Sequence, residues 1–499
     1  MDINYSNPIN FSLKDYKEKE KIYDLGFREY DARWLYPEQI NLPGIQEIGL
    51  CLGEIIQRNS DNNNKISVGH DFRSYSEKIK EALIGGLIAS GINVYDVGLT
   101  ISPGAYFSQY FLDCDNVAMV TASHNPNGWT GIKMGIEKTL TFGPNQINEL
   151  KSLVGKEKSL PKNQGKYIFR NINNEYIEDL ASEIKVNRKI KAVVACGNGT
   201  AGLFAPEALK RIGVDVIPLH CDLDSNFPNY NPNPEDMKML SDLGKHVLKN
   251  GADIGFAFDG DGDRLGVVDD NGKEIFSDKL GLIIARNISK KYKNSKFIID
   301  VKSTSLFDSD EILRESNSEV MYWKTGHSYI KRKTSEVGAI AGFERSGHFF
   351  FSKPIGRGYD DGVLSAIEII KILDENITKT ISEIYNELPK TFSTPTMSPK
   401  CPEEEKYKIV EVIKKIFQEK KDNEELISQQ KISSLLTVNG VRIILEDGSW
   451  GLIRASSNSP NLVVVCESPV SEERMKEVFS YLNDVLKSFP EIGDYDQKI

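Results

Sequence analysis

The chain has 499 residues, with 62 Lys plus Arg against 72 Asp plus Glu and a formal net charge of −10 at pH 7. A length of this order leaves room for roughly three or four domains, each large enough to bury its own core. The acidic balance argues against coating nucleic acid or an anionic membrane, and no apolar run approaches the ~20 residues that span a bilayer.

The opening run MDINYSNPINFSLKDYKEKEK is polar and lysine-rich, without the apolar core of a secretory signal. Its first ~25 residues match no recognisable motif. The chain then alternates short β-branched runs with amphipathic stretches, the pattern of parallel α/β sheets. KISVGHD predicts a strand, SYSEKIKEALIGGLIAS a helix and INVYDVG the next strand. The cycle returns as KAVVACGNGTAG, LFAPEALKRIG and VDVIPLH, and again as KFIIDVKST, DEILRES and VMYWKTGH. Near residue 390 the texture changes: TFSTPTMSPKCPEEE carries Pro395, Pro399 and Pro402 and predicts a linker. A helix (KYKIVEVIKKIFQEKK), hairpin strands (VRIILEDGSWGLIRAS, NLVVVCES) and a last helix follow, which predicts a separate α+β module. The expected architecture is therefore α/β: three similar mixed α/β domains over 1–165, 166–273 and 274–390, and a C-terminal α+β domain over 391–499. Cys51, Cys114, Cys196, Cys221, Cys401 and Cys466 contain no C-x-x-C pair, so reduced thiols in a cytoplasmic protein are expected.

Four loops have residue types suited to chemistry. The first, Thr121-Ala122-Ser123-His124-Asn125-Pro126-Asn127-Gly128, follows the apolar run NVAMV, so a parallel strand delivers it to the carboxyl edge where ligands bind. Ser123 suits covalent work if a base or a preformed ester activates it, with His124 adjacent and Lys133 downstream; a polar turn capping its own backbone is the competing reading. The second, Asp259-Gly260-Asp261-Gly262-Asp263-Arg264, spaces three carboxylates at i, i+2 and i+4 with glycines between. Repulsion among them is most simply relieved by a hard divalent cation. An EF-hand is excluded, because its sixth and twelfth positions would be Arg264 and Asp270 in place of Gly and Glu. Oxygen ligands with room for a phosphate suit Mg2+. A solvated acidic turn is the alternative.

The third region pairs Trp323-Lys324-Thr325-Gly326-His327-Ser328 with Gly342-Phe343-Glu344-Arg345-Ser346-Gly347-His348. Carboxylate, hydroxyl and imidazole together offer donors and acceptors for vicinal sugar hydroxyls. Each of these histidines is equally compatible with a structural role, and a zinc site lacks the compact ligand spacing. The fourth, Arg454-Ala455-Ser456-Ser457-Asn458-Ser459-Pro460, joins a guanidinium to small donors in the manner of a phosphate cradle. A Ser-rich hairpin turn fits that stretch as well.

In combination and in this order, TASHNP, GNGTAG, FDGDGDR, WKTGHS, GFERSGHFFF and RASSNSP resemble the motifs of the α-D-phosphohexomutases, most closely the bacterial phosphomannomutase/phosphoglucomutases. FREYDAR near the N-terminus is similar to that family's opening motif, so the likeness runs from about residue 27 to the C-terminus. The resemblance implies four domains around a central cleft. It implies that Ser123 is the phosphorylated serine, and that Ser123, Asp259, Asp261 and Asp263 hold Mg2+. Lys133 and His327 match positions near the transferred proton, Glu344 and Ser346 the sugar readers, and Arg454, Ser456, Ser457 and Asn458 the phosphate cradle. Tyr30, Arg33, Arg264, Lys302, Gly326 and His348 match further substrate contacts.

The implied activity is interconversion of hexose 1-phosphate and hexose 6-phosphate, of mannose or glucose, through a phosphoserine and a hexose 1,6-bisphosphate. Implied partners are hexose phosphates, without nucleic acid or membrane, for a monomer or dimer. Phe343, Arg345, Ser457, Asn458 and His70 depart from the usual pattern, Phe343 and Arg345 beside the sugar-reading Glu344. Alternatives are a phosphoglucosamine mutase of the same superfamily, a Mg-dependent sugar-phosphate phosphatase with an Asp nucleophile, and a sensor without turnover.

Overall fold

The computed structural model describes residues 13–59, 63–182 and 184–496, so much of the polar opening run lies outside the described residues. Two compact units emerge: the first runs to Phe276 and adds Ser346–Ile381, and the second holds Ser277–Arg345 and the chain from Ser382 onward. Among the described residues no helix is long and apolar enough to cross a membrane. All six cysteines are free thiols.

The first unit contains two mixed sheets built on one plan. In one, Lys65–His70, Asn93–Leu99, Asn116–Val120 and Tyr167–Phe169 pair in parallel. Trp129–Gly135 turns back antiparallel on Asn116–Val120, and Ala32–Leu35 adds a further antiparallel edge. In the other, Lys191–Ala195 lies parallel to both Asp215–Leu219 and Ile254–Phe258, and Leu265–Val268 turns back antiparallel on Ile254–Phe258. The runs NVAMV and IGFAF are buried along their whole length, as expected of strands covered on both faces. Helices Leu42–Asn59 and Ser76–Ala89 seal the first sheet, with Ile48, Leu52, Leu83, Val68 and Ala118 in one core. Each sheet thus delivers one loop at the same place, between its last parallel strand and the first antiparallel one.

The boundary expected after residue 165 needs correction, because Tyr167–Phe169 hydrogen-bonds to Asn93–Leu99 and still belongs to the first sheet. Helix Gly362–Glu375 clusters with the first unit by its contacts.

In the second unit, Glu319–Trp323, Lys296–Asp300 and Ala341–Phe343 repeat the parallel order. The C-terminal module is an antiparallel sheet ordered Phe392–Ser393, Leu462–Ser468, Trp450–Ala455, Val441–Leu445, Ile432–Leu436, covered by helices Lys406–Asp422 and Glu472–Leu486. Here the predicted linker is overturned. Phe392–Ser393 pairs with Leu462–Ser468, and Met397, Pro399 and Lys400 continue as isolated bridges to Val464, Tyr495 and Asn461. Proline is compatible with such an edge, where an N–H that faces outward has no ladder bond to lose.

Glu467, fully buried in this module, is its polar keystone. Its Oε1 accepts from Thr304 Oγ1 (2.9 Å), Ser305 N (3.1 Å) and Trp450 Nε1 (3.1 Å), and its Oε2 accepts from Thr391 Oγ1 (3.0 Å) and Ser393 Oγ (2.9 Å). Burial opposes ionisation, but Lys279, Arg345 and these donors together hold its carboxyl below the ordinary glutamate range. A depressed acid stabilises the fold above its unfolded-state pKa and loses that contribution as pH falls through its folded-state pKa. Glu467→Ala is expected to cost about 3–5 kcal/mol in urea unfolding at pH 7, since it strands buried donors and two cations. Glu467→Gln should cost less at pH 7, and its deficit relative to wild type should shrink when the unfolding is repeated below about pH 4.

Candidate active site

The two equivalent loops of the first unit meet. Ser123, in the loop after Asn116–Val120, is buried and adopts φ +51°, a left-handed conformation that a non-glycine residue holds only when its surroundings impose it. Asp71 and Arg73 impose it. Asp71 pairs with Arg73, accepts from Ser76 Oγ at 2.5 Å and receives the Ala122 N–H at 3.3 Å. Arg73 Nη2 then donates to the Ser123 carbonyl at 2.9 Å and to the Asn125 carbonyl at 2.7 Å. Neither Asp71 nor Arg73 was singled out in the sequence; a charged pair directly after a buried strand was the signal that could have found them.

Ser123 Oγ donates to Asp259 Oδ2 at 2.8 Å, which joins the serine loop to the aspartate loop. Gly260 makes that approach possible, since a Cβ there would lie 2.6 Å from the Ser123 carbonyl oxygen. The carboxylates of Asp259, Asp261 and Asp263 are fully buried, with oxygens within 4.8 Å of one another. Lys133 reaches across from Trp129–Gly135, donating to Asp261 Oδ2 at 2.7 Å, to Asp263, and to Ser102 Oγ at 3.0 Å. Ser102 in turn donates to Asp261 at 2.6 Å.

The charges are unequal by construction. Burial, reinforced by Asp261 and Asp263, pushes the Asp259 carboxyl well above its ordinary range. Asp261 is buried as well, yet Lys133 overrides that burial and holds it low. Burial alone would depress Lys133, and the two aspartates reverse this and keep it a cation. His124, half-buried near Arg264 and Arg33, is pushed well below the usual histidine range by desolvation and by those cations, and is therefore a neutral imidazole. Its Nδ1 lies 3.3 Å from Ser123 Oγ.

The trio fits a divalent cation. Asp261 Oδ1 and Asp263 Oδ1 are buried and hydrogen-bond to nothing among the described residues, leaving two carboxylate oxygens free to coordinate. All-oxygen donors of this charge suit a hard ion.

Of the other expected residues, Arg33, Arg264, Ser346 and His348 lie in the first unit and are buried, as is Tyr30. Arg33 Nε donates to Asp31 at 2.9 Å. Arg264 Nε donates to His348 Nε2 at 2.9 Å, and His348 Nδ1 lies 2.8 Å from Asp360 Oδ2. Because an arginine only donates, Nε2 is the acceptor and the proton of a neutral His348 sits on Nδ1, facing Asp360.

Lys302, Gly326, His327, Glu344, Arg454, Ser456, Ser457 and Asn458 lie in the second unit. Glu344 accepts from the Gly326 N–H at the start of helix His327–Val337, where Gly326 has φ 133°. His327 and Lys302 are buried. Asp300, at the end of its strand, organises this cluster: it receives Ser303 Oγ (2.6 Å), Thr325 Oγ1 (3.0 Å) and Arg345 N (3.3 Å), with Lys302 Nζ at 3.9 Å. An acid closing the run FIID was its signal, and it went unread. In the C-terminal loop Ser456 Oγ lies 2.9 Å from Ser459 Oγ, while Arg454 Nε and Asn458 Oδ1 are buried without partners among the described residues.

The ring of Phe343, directly before Glu344, faces inward, stacked 6.1 Å from Phe297 and 6.3 Å from Phe307. The Arg345 side chain likewise turns inward, toward Asp278 and the Thr394 carbonyl.

Comparison with known proteins matches four consecutive stretches to the phosphoglucomutase/phosphomannomutase family: alpha/beta/alpha domain I at residues 24–161, domain II at 174–272, domain III at 276–392 and the C-terminal domain at 400–485. A phosphomannomutase/phosphoglucomutase of Pseudomonas putida is 34% identical over 468 residues, covering 93% of this chain and 96% of its own. A probable phosphoglucosamine mutase of Pyrococcus abyssi is 30% identical over 469 residues, 93% of this chain and 97% of its own. A crystal structure of a phosphoglucomutase/phosphomannomutase family protein from Burkholderia thailandensis aligns with a TM-score of 0.82 at 30% identity, over 94% of this chain and 98% of its own.

Because Gly260 abuts the Ser123 carbonyl, Gly260→Ala should force the two loops apart. Calorimetric titration with Mn2+ or Mg2+ is expected to show affinity weakened about tenfold or more, a loss on the order of the ~1–3 kcal/mol that overpacking costs. Circular dichroism should show the fold retained.

Proposed function

The chain belongs to the phosphoglucomutase/phosphomannomutase family, and on that premise we propose that it interconverts hexose 1-phosphates and hexose 6-phosphates of mannose or glucose, with Ser123 carrying the phosphoryl group. It is a phosphohexomutase, an intramolecular phosphotransferase. The observation that carries the residue assignment is the 2.8 Å contact between Ser123 Oγ and Asp259 Oδ2, which sets an esterifiable hydroxyl against a buried triad of carboxylates.

In the proposed reaction the P–O bond to Ser123 breaks as a bond to the free sugar hydroxyl forms, and the hydroxyl proton leaves to a neighbouring base. The product is a hexose 1,6-bisphosphate. It returns its other phosphate to Ser123 in the reverse sense, which regenerates the phosphoserine, so added bisphosphate acts as activator. Asp259, Asp261, Asp263 and the seryl phosphate would hold Mg2+, which supplies charge neutralisation for phosphoryl transfer. Lys133, kept cationic by Asp261 and Asp263, bridges those two carboxylates and offsets part of their charge. Arg264, braced by His348, would offer its guanidinium to an anionic oxygen of the substrate. Lys133 and His327 are the candidates for proton handling. Glu344 and Ser346 would read sugar hydroxyls, and Arg454, Ser456, Ser457 and Asn458 the phosphate that is not being transferred; Tyr30, Arg33, Lys302, Gly326 and His348 would complete the contacts.

Free thiols at all six cysteines support a cytoplasmic setting. The similarity to both a phosphomannomutase/phosphoglucomutase and a probable phosphoglucosamine mutase makes the sugar the point to measure.

With Mg2+ and a trace of glucose 1,6-bisphosphate, mannose 1-phosphate or glucose 1-phosphate should be converted with a kcat/KM at least about tenfold above that for glucosamine 1-phosphate, a difference of ~1.4 kcal/mol at the transition state. Ser123→Ala should lower kcat by at least about 10³-fold, and EDTA should silence the wild type until Mg2+ is restored. Intact-protein mass spectrometry should find one phosphate on Ser123 that survives hydroxylamine. A hydroxylamine-labile phosphate on Asp259, with phosphate released and no isomer formed, would instead establish the phosphatase reading.

A further inference from the structure

Arg345 sits between Glu344 and Ser346, yet its side chain leaves that loop and is almost wholly buried. Its Nη2 donates to the Thr394 carbonyl at 2.7 Å; Nη1 lies 3.4 Å from Asp278 Oδ2 and 3.5 Å from the Lys302 carbonyl; its backbone N–H reaches Asp300 Oδ1 at 3.3 Å. Thr394 is itself locked into the C-terminal sheet, donating its N–H to the Cys466 carbonyl at 2.9 Å and accepting the Cys466 N–H on Oγ1 at 3.0 Å.

A second buried guanidinium grips the same segment from the other side. Arg442, on strand Val441–Leu445, donates through Nη1 to the carbonyls of Val301 (3.0 Å) and Ser303 (2.7 Å). Its planar head lies 3.6 Å from the Trp450 ring centroid and 4.8 Å from that of Tyr322. Three consecutive carbonyls, of Val301, Lys302 and Ser303, are thus held by two arginines. Loop carbonyls ordinarily bond to water. Burying a guanidinium to hold them costs desolvation that apolar packing would avoid, so such an arrangement is suited to fixing geometry more than to adding stability.

We propose that Arg345, with Arg442, is a positioning residue that fixes the Lys302 ammonium and the Glu344 carboxylate relative to the C-terminal sheet bearing Arg454. This inference rests on the reading above that Lys302, Glu344 and Arg454 bind the hexose phosphate. Arg345 does not touch the ligand; it acts through Lys302 and Glu344, setting the spacing between sugar reader and phosphate cradle.

The test uses the full chain carrying Arg345→Met (similar length, no donors), Arg345→Lys, Lys302→Ala and the double variant Arg345→Met/Lys302→Ala. Ground-state positioning predicts that Arg345→Met raises KM for mannose 1-phosphate or glucose 1-phosphate about tenfold while kcat changes less than about threefold. Acting through Lys302, it predicts that the same substitution costs at least about threefold less in kcat/KM when Lys302 is already alanine. Arg345→Lys keeps the charge but not the fork, and should fall between wild type and Arg345→Met; it also carries the test should Arg345→Met fail to fold. Hydrogen exchange should rise in residues 300–304 of Arg345→Met. A KM within twofold of wild type, an undiminished penalty in the Lys302→Ala background, or unchanged exchange at 300–304 would each overturn the proposal. Wild-type protein without turnover on any hexose phosphate would refute the functional reading, and the exchange experiment would then decide the clamp on its own.

Discussion

Three carboxylates buried within one small volume repel each other, and this repulsion is the constraint around which the first unit is arranged. The protein meets it by asymmetry. Lys133 takes Asp261 and Asp263 as partners, while Asp259 is left with a raised carboxyl and the Ser123 hydroxyl as its donor. One lysine, the hydroxyls of Ser102 and Ser123 and the Arg264 N–H leave the triad incompletely compensated, and the bare Oδ1 atoms of Asp261 and Asp263 register the shortfall. A divalent cation would balance the charge that remains.

Bringing serine and aspartates together is a consequence of repeated topology. Two sheets of the same order each hand over a loop between a parallel strand and an antiparallel return, and the two loops then need only close contact to join. Gly260 provides that contact by lacking a Cβ, and Arg73 provides it by pulling the Ser123 carbonyl into place. Backbone strain at Ser123 is thereby held by a buried ion pair two strands earlier in the sequence, so the Ser123 side chain is fixed by the fold itself.

What was legible in the sequence were the elements with strong local signals. Continuous apolar runs such as NVAMV and IGFAF identified strands and, with them, the placement of the loops that follow; the DGDGDR spacing identified a charge cluster that local physics alone makes costly. What was not legible depended on partners distant in sequence. Asp71, Asp300 and Glu467 are each single acids whose importance lies in donors gathered from several loops, and no spacing rule reveals that. The prolines after residue 390 were misread for a related reason. Proline reports that a backbone N–H is missing, and an edge strand tolerates this as readily as a linker does, so only the pairing with Leu462–Ser468 separates the two. Phe343 shows that strand alternation, which sets the face of a side chain, outweighs proximity in sequence to Glu344.

The second unit applies a different physical solution to its own task. Its ligand-facing candidates stand on loops, which would ordinarily move, and the protein stiffens them with buried polar groups: Asp300 beneath Thr325 and Ser303, Glu467 beneath Thr304 and Ser305, and arginines on the carbonyls between. An apolar core would be the cheaper route to stability, but apolar contacts slide, whereas a carbonyl held by a guanidinium has one distance and one direction. Buried, directional hydrogen bonds fix the spacing of these loops, and this accounts for the concentration of costly buried charge below them.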